Sequence, residues 1–404
     1  MTGPLRRRIA ALFAALLMLA ACRDGHSPPL DQQLYVWQRQ WTPAHAEALR
    51  ASHATFSTLR VLALQAHPGA GWSRARIDTD LLRQDGRPWV AVVRLDGQLP
   101  QLDSQRARDE IGSLLADWQR TGLTPVAVEI DHDCASARLT DYARFLGELR
   151  ASLPTGMQLG ITALPAWLSS PRLPDVLAQV DGSVLQVHGV SAPEKGLFDE
   201  RQALEWARRW GAVSPTPFLL ALPAYGAGLI RSDEGVQVES EAPLPIAGAR
   251  QEWMADPQRV AGLVAQLRRD PPAHLAGLIW FRLPLPGDRR AWPLATLMAV
   301  ARGEALAADL RLDVRRPDND PQLNELTLAN LGNAPAALPA HLQLAAHDCF
   351  AHDALPGYRL VTDDAGLRLE REAGPTLYLQ AGQRRALGWA RCHAPAQGGL
   401  HAQP

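Results

Sequence analysis

The chain has 404 residues, 47% of them hydrophobic and 21% charged, with a formal net charge of -1. That length and composition support a large buried core in one big domain with a smaller one beside it. They exclude long disorder, and with no run of like charge after Arg8 they leave no basic field for nucleic acid as a partner.

Arg6, Arg7 and Arg8 precede an apolar run from Ile9 to Ala20, and Leu19-Ala20-Ala21-Cys22 puts small residues just ahead of a cysteine. This order predicts a lipoprotein signal peptide over residues 1–21, cut before Cys22, which then carries the lipid. A membrane-spanning helix needs ~20 apolar residues. This run is shorter and ends in Arg23, Asp24, Gly25 and His26. With Arg23 rather than Asp after the cysteine, the expected location is the periplasmic face of the outer membrane, reached through the lipid anchor. Cys134, Cys349 and Cys392 remain in an oxidising compartment. Cys349 and Cys392 both lie in the C-terminal part, so a disulfide between them is the economical pairing, with Cys134 free and buried.

After a polar tether at 22–33, short β-rich runs alternate with amphipathic stretches of helical length. The eight runs are Leu34 to Trp41, Leu59 to Gln65, Trp89 to Leu95, Val126 to Asp133, Gln158 to Leu164, Gly182 to His188, Pro217 to Leu222 and Ala276 to Leu283. Between them, helices are predicted at Pro43 to Ser52, Ser104 to Thr121, Thr140 to Ser152, Asp199 to Trp210 and Pro257 to Arg269, several with Ser, Thr or Asp in the cap position. Strand and helix alternating to a count of eight predict an α/β fold, a (β/α)8 TIM barrel over residues 34–303. From Asp309 the texture changes to short strand-like runs separated by turns such as Pro317-Asp318-Asn319-Asp320, which predicts a small β-sandwich over residues 309–394.

A barrel of this kind works at the C-terminal ends of its strands. In the fourth run Val126, Val128 and Ile130 alternate with Glu129, Asp131 and Asp133, so a period of two puts three carboxylates on the inner face. His132 points the other way. Crowded carboxylates in a partly dry cavity cannot all ionise comfortably, and a raised pKa suits a general acid. The competing reading pairs Glu129 and Asp131 with barrel arginines such as Arg94 or Arg282, and it is preferred for Glu129, the deepest of the three. Asp131 and Asp133 are the candidate catalytic pair. No metal site is expected, because His132 diverges from both acids, and no cofactor is implied. Further candidates at the mouth, for binding substrate, are Trp37, Arg39, Trp41, Gln65, Arg94, Asp96, Trp167, Gln186, His188, Tyr225, Trp280 and Arg282. His188 is either a proton shuttle or a satisfied structural histidine. Twelve tryptophans stand against seven phenylalanines, and tryptophan at such a mouth is a platform for sugar rings. No Gly-x-Ser-x-Gly elbow is present, and Cys134 lies on the opposite pleat from Asp133.

The acidic strand resembles that of chitinase-like glycoside hydrolases of family eighteen, whose Asp-x-Asp-x-Glu puts carboxylates on one face. Leu222-Pro223-Ala224-Tyr225-Gly226 resembles that family's Leu-Pro-x-Tyr-Gly segment, and Gly277-Leu278-Ile279-Trp280-Phe281-Arg282 resembles its Gly-x-x-x-Trp strand. The whole mature chain is similar to a bacterial family of barrel lipoproteins, domain of unknown function 3142. The matching segments are Glu129-Ile130-Asp131-His132-Asp133-Cys134, Ile161-Thr162-Ala163-Leu164-Pro165-Ala166-Trp167, Val184-Leu185-Gln186-Val187-His188 and Leu387-Gly388-Trp389. Two departures from the hydrolase pattern bear on mechanism. Asp133 stands where that family has Glu, which leaves the carboxyl about 1.5 Å shorter of a scissile oxygen, and Gln186-Val187-His188-Gly189 replaces a Met-x-Tyr-Asp-like run.

Two functions stay open at this point. One is an envelope glycoside hydrolase with Asp133 as general acid, Asp131 orienting it or stabilising charge, Tyr225 and Gln186 binding substrate and Trp280 flooring the sugar. The other is a non-catalytic glycan-binding or scaffolding lipoprotein, since a fold does not settle activity. Carbohydrate is the expected partner in both.

Overall fold

The computed structural model describes residues 29–398 except 100, 190–195, 233–234, 240–248, 347, 364–365, 375–376 and 394–396. The segment expected to be a signal peptide, and Cys22 after it, lie outside the described residues. Among those described, no helix is long and apolar enough to cross a membrane.

Eight parallel strands close into a barrel: β1 Asp31–Val36, β2 Thr58–His67, β3 Trp89–Leu95, β4 Ala127–His132, β5 Gln158–Ala163, β6 Gly182–Gln186, β7 Phe218–Pro223 and β8 Leu275–Phe281. Their spatial order is β1-β8-β7-β6-β5-β4-β3-β2, and pairing of β1 with β2 seals the ring. The predicted (β/α)8 architecture is therefore the observed one. Helices such as Ser104–Arg120, Leu139–Ser152, Glu200–Val213 and Pro257–Arg269 return the chain between strands. Aspartates start several of them: Asp103, Asp199 and Asp256 each accept a backbone N–H of the first turn, which satisfies a donor that the helix itself leaves open.

The first strand begins at Asp31, three residues inside the expected tether. Its polar Asp-Gln-Gln opening hid it, yet the glutamines bond to neighbouring barrel strands: Trp280 Nε1 donates to Gln32 Oε1 at 2.8 Å and Arg60 Nε to Gln33 Oε1 at 2.9 Å. A second difference lies in β4, where Val128 and Ile130 are fully buried against the helices but Val126 is 48% exposed just before the strand starts. Among the elements the pattern did not show are two additions to the barrel's strands. One is the hairpin strand Gly71–Arg74 beside β2. The other is a three-stranded sheet, Gly226–Ser232, Gly235–Glu239 and Ala249–Met254, inserted between β7 and the helix before β8.

Burial divides each barrel strand into two faces. Outward aliphatics join the main core with the helices, and a separate inner cluster of Tyr35, Trp37, Leu62, Val92, Val184, Leu219, Ala221 and Ile279 fills the lumen. The C-terminal part holds two four-stranded antiparallel sheets around a core of its own, including Leu326, Leu328, Leu342, Leu344, Leu367 and Leu369. Cys349 and Cys392 are disulfide-bonded between adjacent strands, and Cys134 is free and buried.

Candidate active site

The acidic strand carries two stations at different depths. Glu129 is fully buried in the lumen, and its carboxylate is saturated: Tyr35 donates at 2.6 Å, Thr162 at 3.1 Å, and Arg60 forms an ion pair with the other oxygen. The competing structural reading named Arg94 or Arg282 for this partner; the structure supplies Arg60 from β2 instead. Burial, and after it the charge of Glu129, hold the Tyr35 hydroxyl well above its ordinary pKa, so it stays a donor.

One turn of the pleat higher, Asp131 and Asp133 share a single guanidinium. Arg94 Nη1 meets Asp131 Oδ2 at 2.6 Å and Arg94 Nη2 meets Asp133 Oδ2 at 2.7 Å. Register produces this fork, because Arg94 on β3 lies directly beside Asp131 on β4. Burial alone would lower the Arg94 pKa, but the two carboxylates more than reverse that and keep it charged. For Asp131 burial wins over Arg94, and with the repulsion of Asp133 it pushes the carboxyl up to about 6. Its second oxygen, Oδ1, is buried with no hydrogen-bond partner among the described residues. Asp133, just past the strand end, is 30% exposed. A Cβ on Gly97 would collide with the Asp133 carbonyl oxygen, so only glycine lets the loop after β3 lie this close.

Above these acids opens a cavity of about 320 Å³. Among the predicted binding residues, Trp37, Arg39, Gln65, Arg94, Gln186, His188, Tyr225 and Arg282 line it, together with Asp131 and Asp133. Glu129 lies below it. On one side rings meet edge to face, with Phe281 5.1 Å from Trp37 and 5.3 Å from Tyr225. The opposite side is a chain of polar groups. Arg39 Nε donates to Gln65 Oε1 at 3.1 Å, His67 Nε2 approaches the same oxygen at 3.1 Å, and His67 Nδ1 meets Asp96 at 3.1 Å. A bulge in β2 between Leu62 and Leu64 shifts the pleat by one residue, which turns Gln65 and His67 inward. Burial lowers the His188 pKa to about 3, so its imidazole is neutral at ordinary pH, with Nδ1 3.3 Å from the Tyr225 hydroxyl.

Trp280 is a correction. It is fully buried on the outer face of β8, with its ring 6.3 Å from that of Trp292, and Phe281 faces the cavity in its place. Counting by twos from Gly277 through Ile279 would have found Phe281, because the alternation carries the inward face to it. Trp41 and Trp167 are likewise core residues; Trp167 donates to the Cys134 carbonyl at 2.9 Å. The sequence reading also missed Tyr35, His67 and Thr162, each of which lines the cavity. His132 turns outward as expected, with Nδ1 3.0 Å from the Leu95 carbonyl. No group of three or more metal-ligating side chains occurs among the described residues.

Fold and site together define a TIM-barrel protein with a polar, aromatic-walled cavity at the C-terminal ends of its strands, followed by a β-sandwich. Residues 85–286 match the family described as a domain of unknown function (DUF3142), and the chain belongs to that family. Residues 313–393 match a second, described as DUF8456. Solved structures similar to this chain include the spore cortex-lytic enzyme SleL of Bacillus cereus, at 13% identity and TM-score 0.48, covering 68% of this chain and 74% of that one. A chitinase from Chromobacterium violaceum has 13% identity and TM-score 0.48, covering 68% of this chain and 98% of its own. A xylanase and alpha-amylase inhibitor protein from Scadoxus multiflorus has 11% identity and TM-score 0.42, with 69% and 100% covered. Among curated proteins none matches.

Proposed function

We propose that the barrel mouth binds a sugar unit of an envelope glycan. The observation that carries this is a cavity with Trp37, Tyr225 and Phe281 on one side and oriented amide, guanidinium and carboxylate groups on the other. A sugar ring has apolar faces that stack on aromatic rings and an equator of hydroxyls that need fixed partners, so both walls find their complement. Asp131 lines this cavity, and its Oδ1, buried and without a partner among the described residues, would accept one such hydroxyl. In the same reading the mature chain is held by a lipid on Cys22 at the periplasmic face of the outer membrane, supported by the order of charged, apolar and small residues ahead of it. Recovery of Cys22→Ser with the signal removed, at wild-type level in the membrane fraction, would count against that anchor.

A second reading, hydrolysis, is favoured by one feature: burial keeps a proton on Asp131 up to a pH of about 6. Asp131 is then the donor to the glycosidic oxygen, and Asp133, on Arg94 and more exposed, is the carboxylate that faces the developing positive charge. This reverses the roles expected from the sequence. The mature protein, titrated against peptidoglycan fragments, secreted polysaccharides and host glycans with binding and product release both measured, separates the two. Binding that weakens about tenfold or more in Trp37→Ala supports the glycan site. Product formation lost in Asp131→Asn supports hydrolysis, whereas binding without product leaves a binding protein. A wild type that binds none of these glycans ends both readings.

A further inference from the structure

A second cavity, of about 700 Å³, lies where the barrel meets the C-terminal sandwich. Barrel residues Asp288 and Trp292 face sandwich residues Tyr378, Gln380 and Gln383 across it. It adjoins the mouth directly. Arg282 lines the first cavity and Asp288 the second, and the two side chains form an ion pair at 2.8 Å, only 12% and 15% exposed, so this pair is a wall common to both. The backbone holds that wall in place. Gly226 N donates to Arg290 O and Trp292 N to Ala224 O, each at 2.8 Å, which pins the segment after β8 to the one that carries Tyr225.

Tyr378 is the unusual member. It is a large aromatic residue left 60% exposed although it sits in a short strand paired with Ala337, and it lines this cleft. Around Tyr378 the cleft is mostly apolar, lined by residues such as Pro284, Leu285, Trp292 and Leu294, with Gln380, Gln383, Glu47 and Asp256 as polar groups among them, so it too joins apolar surface to hydroxyl partners. We propose that this cleft is an accessory subsite for the same glycan chain, with the units next to the one in the barrel mouth passing over the Arg282–Asp288 pair and stacking on Tyr378. This rests on the glycan reading above. The amide and carboxylate groups are partners for hydroxyls, and continuity with the mouth favours one extended chain over an unrelated occupant.

The experiment is a titration of the full mature protein with two-unit and six-unit oligosaccharides, prepared both from chitin and from peptidoglycan strands. The six-unit ligand should bind the wild type more tightly than the two-unit one. Tyr378→Ala should remove about tenfold of that affinity for the long ligand and leave the short one unchanged, while Tyr378→Phe keeps the wild-type pattern because the ring remains. Affinity that does not depend on length, or a Tyr378→Ala effect equal for both lengths or absent, overturns the accessory subsite and leaves the barrel mouth standing. A wild type that binds neither length overturns both.

Discussion

The lower and upper halves of one strand show how the same residue type serves two ends. Glu129 and Asp131 lie two residues apart on the inner face of β4, and both are buried carboxylates with an arginine beside them. Around Glu129 every side is answered, by Tyr35, Thr162 and Arg60. Around Asp131 one guanidinium is divided between two acids, and one oxygen has no partner among the described residues. A saturated buried charge belongs to the scaffold, because nothing can be added to it without breaking what is there. An unsaturated one at a cavity wall is poised to take a ligand or a proton.

Removing the lower station should have the largest effect. Glu129→Ala leaves Arg60 uncompensated inside the barrel and strips two donors of their acceptor, for an expected loss of about 3 to 5 kcal/mol. Urea unfolding at neutral pH measures it, and a loss below about 1 kcal/mol would erase the distinction between the stations.

Asp131→Asn should act in the opposite direction. The folded pKa of Asp131, about 6, is above its ordinary value of 3.8, so the native state holds this proton more tightly than the unfolded chain does. Its stabilising effect is complete below the ordinary value and is lost as pH rises toward and through the folded one, by on the order of 3 kcal/mol. The asparagine variant lacks that titration. It should flatten the stability profile between about pH 4 and pH 7 and close in on, or exceed, the wild type at the upper end. Superimposable profiles for the two proteins would show that Asp131 does not hold its proton.

The smallest change is expected from Asp133→Asn. This side chain is 30% exposed and Arg94 keeps Asp131 as partner, so stability should move by roughly 0 to 1 kcal/mol. Because the charge of Asp133 is one of the causes that raise Asp131, the neighbour's pKa should fall toward the ordinary range. Carbon-13 NMR titration of labelled aspartate reads this directly, and an unmoved Asp131 would mean that the two carboxyls do not sense each other.

Much of this arrangement is legible in the residue order. Strand-helix alternation set the barrel, and a period of two put Glu129, Asp131 and Asp133 on one face, because both follow from backbone geometry that each segment carries by itself. The pairing of Cys349 with Cys392 needed only their common domain. Other features depended on what one segment meets in another. The polar start of β1 became a strand because Trp280 and Arg60 answer its glutamines. The bulge in β2 turned His67 into the cavity, and the strict alternation of β8 put Trp280 outside and Phe281 within. Which acid is saturated and which is left open was also settled across strands, by the register that sets Arg94 beside Asp131 and brings Arg60 to Glu129. Sequence periodicity reports the face a side chain occupies, whereas its partners, its burial and hence its pKa arise only when distant strands close the ring and exclude water.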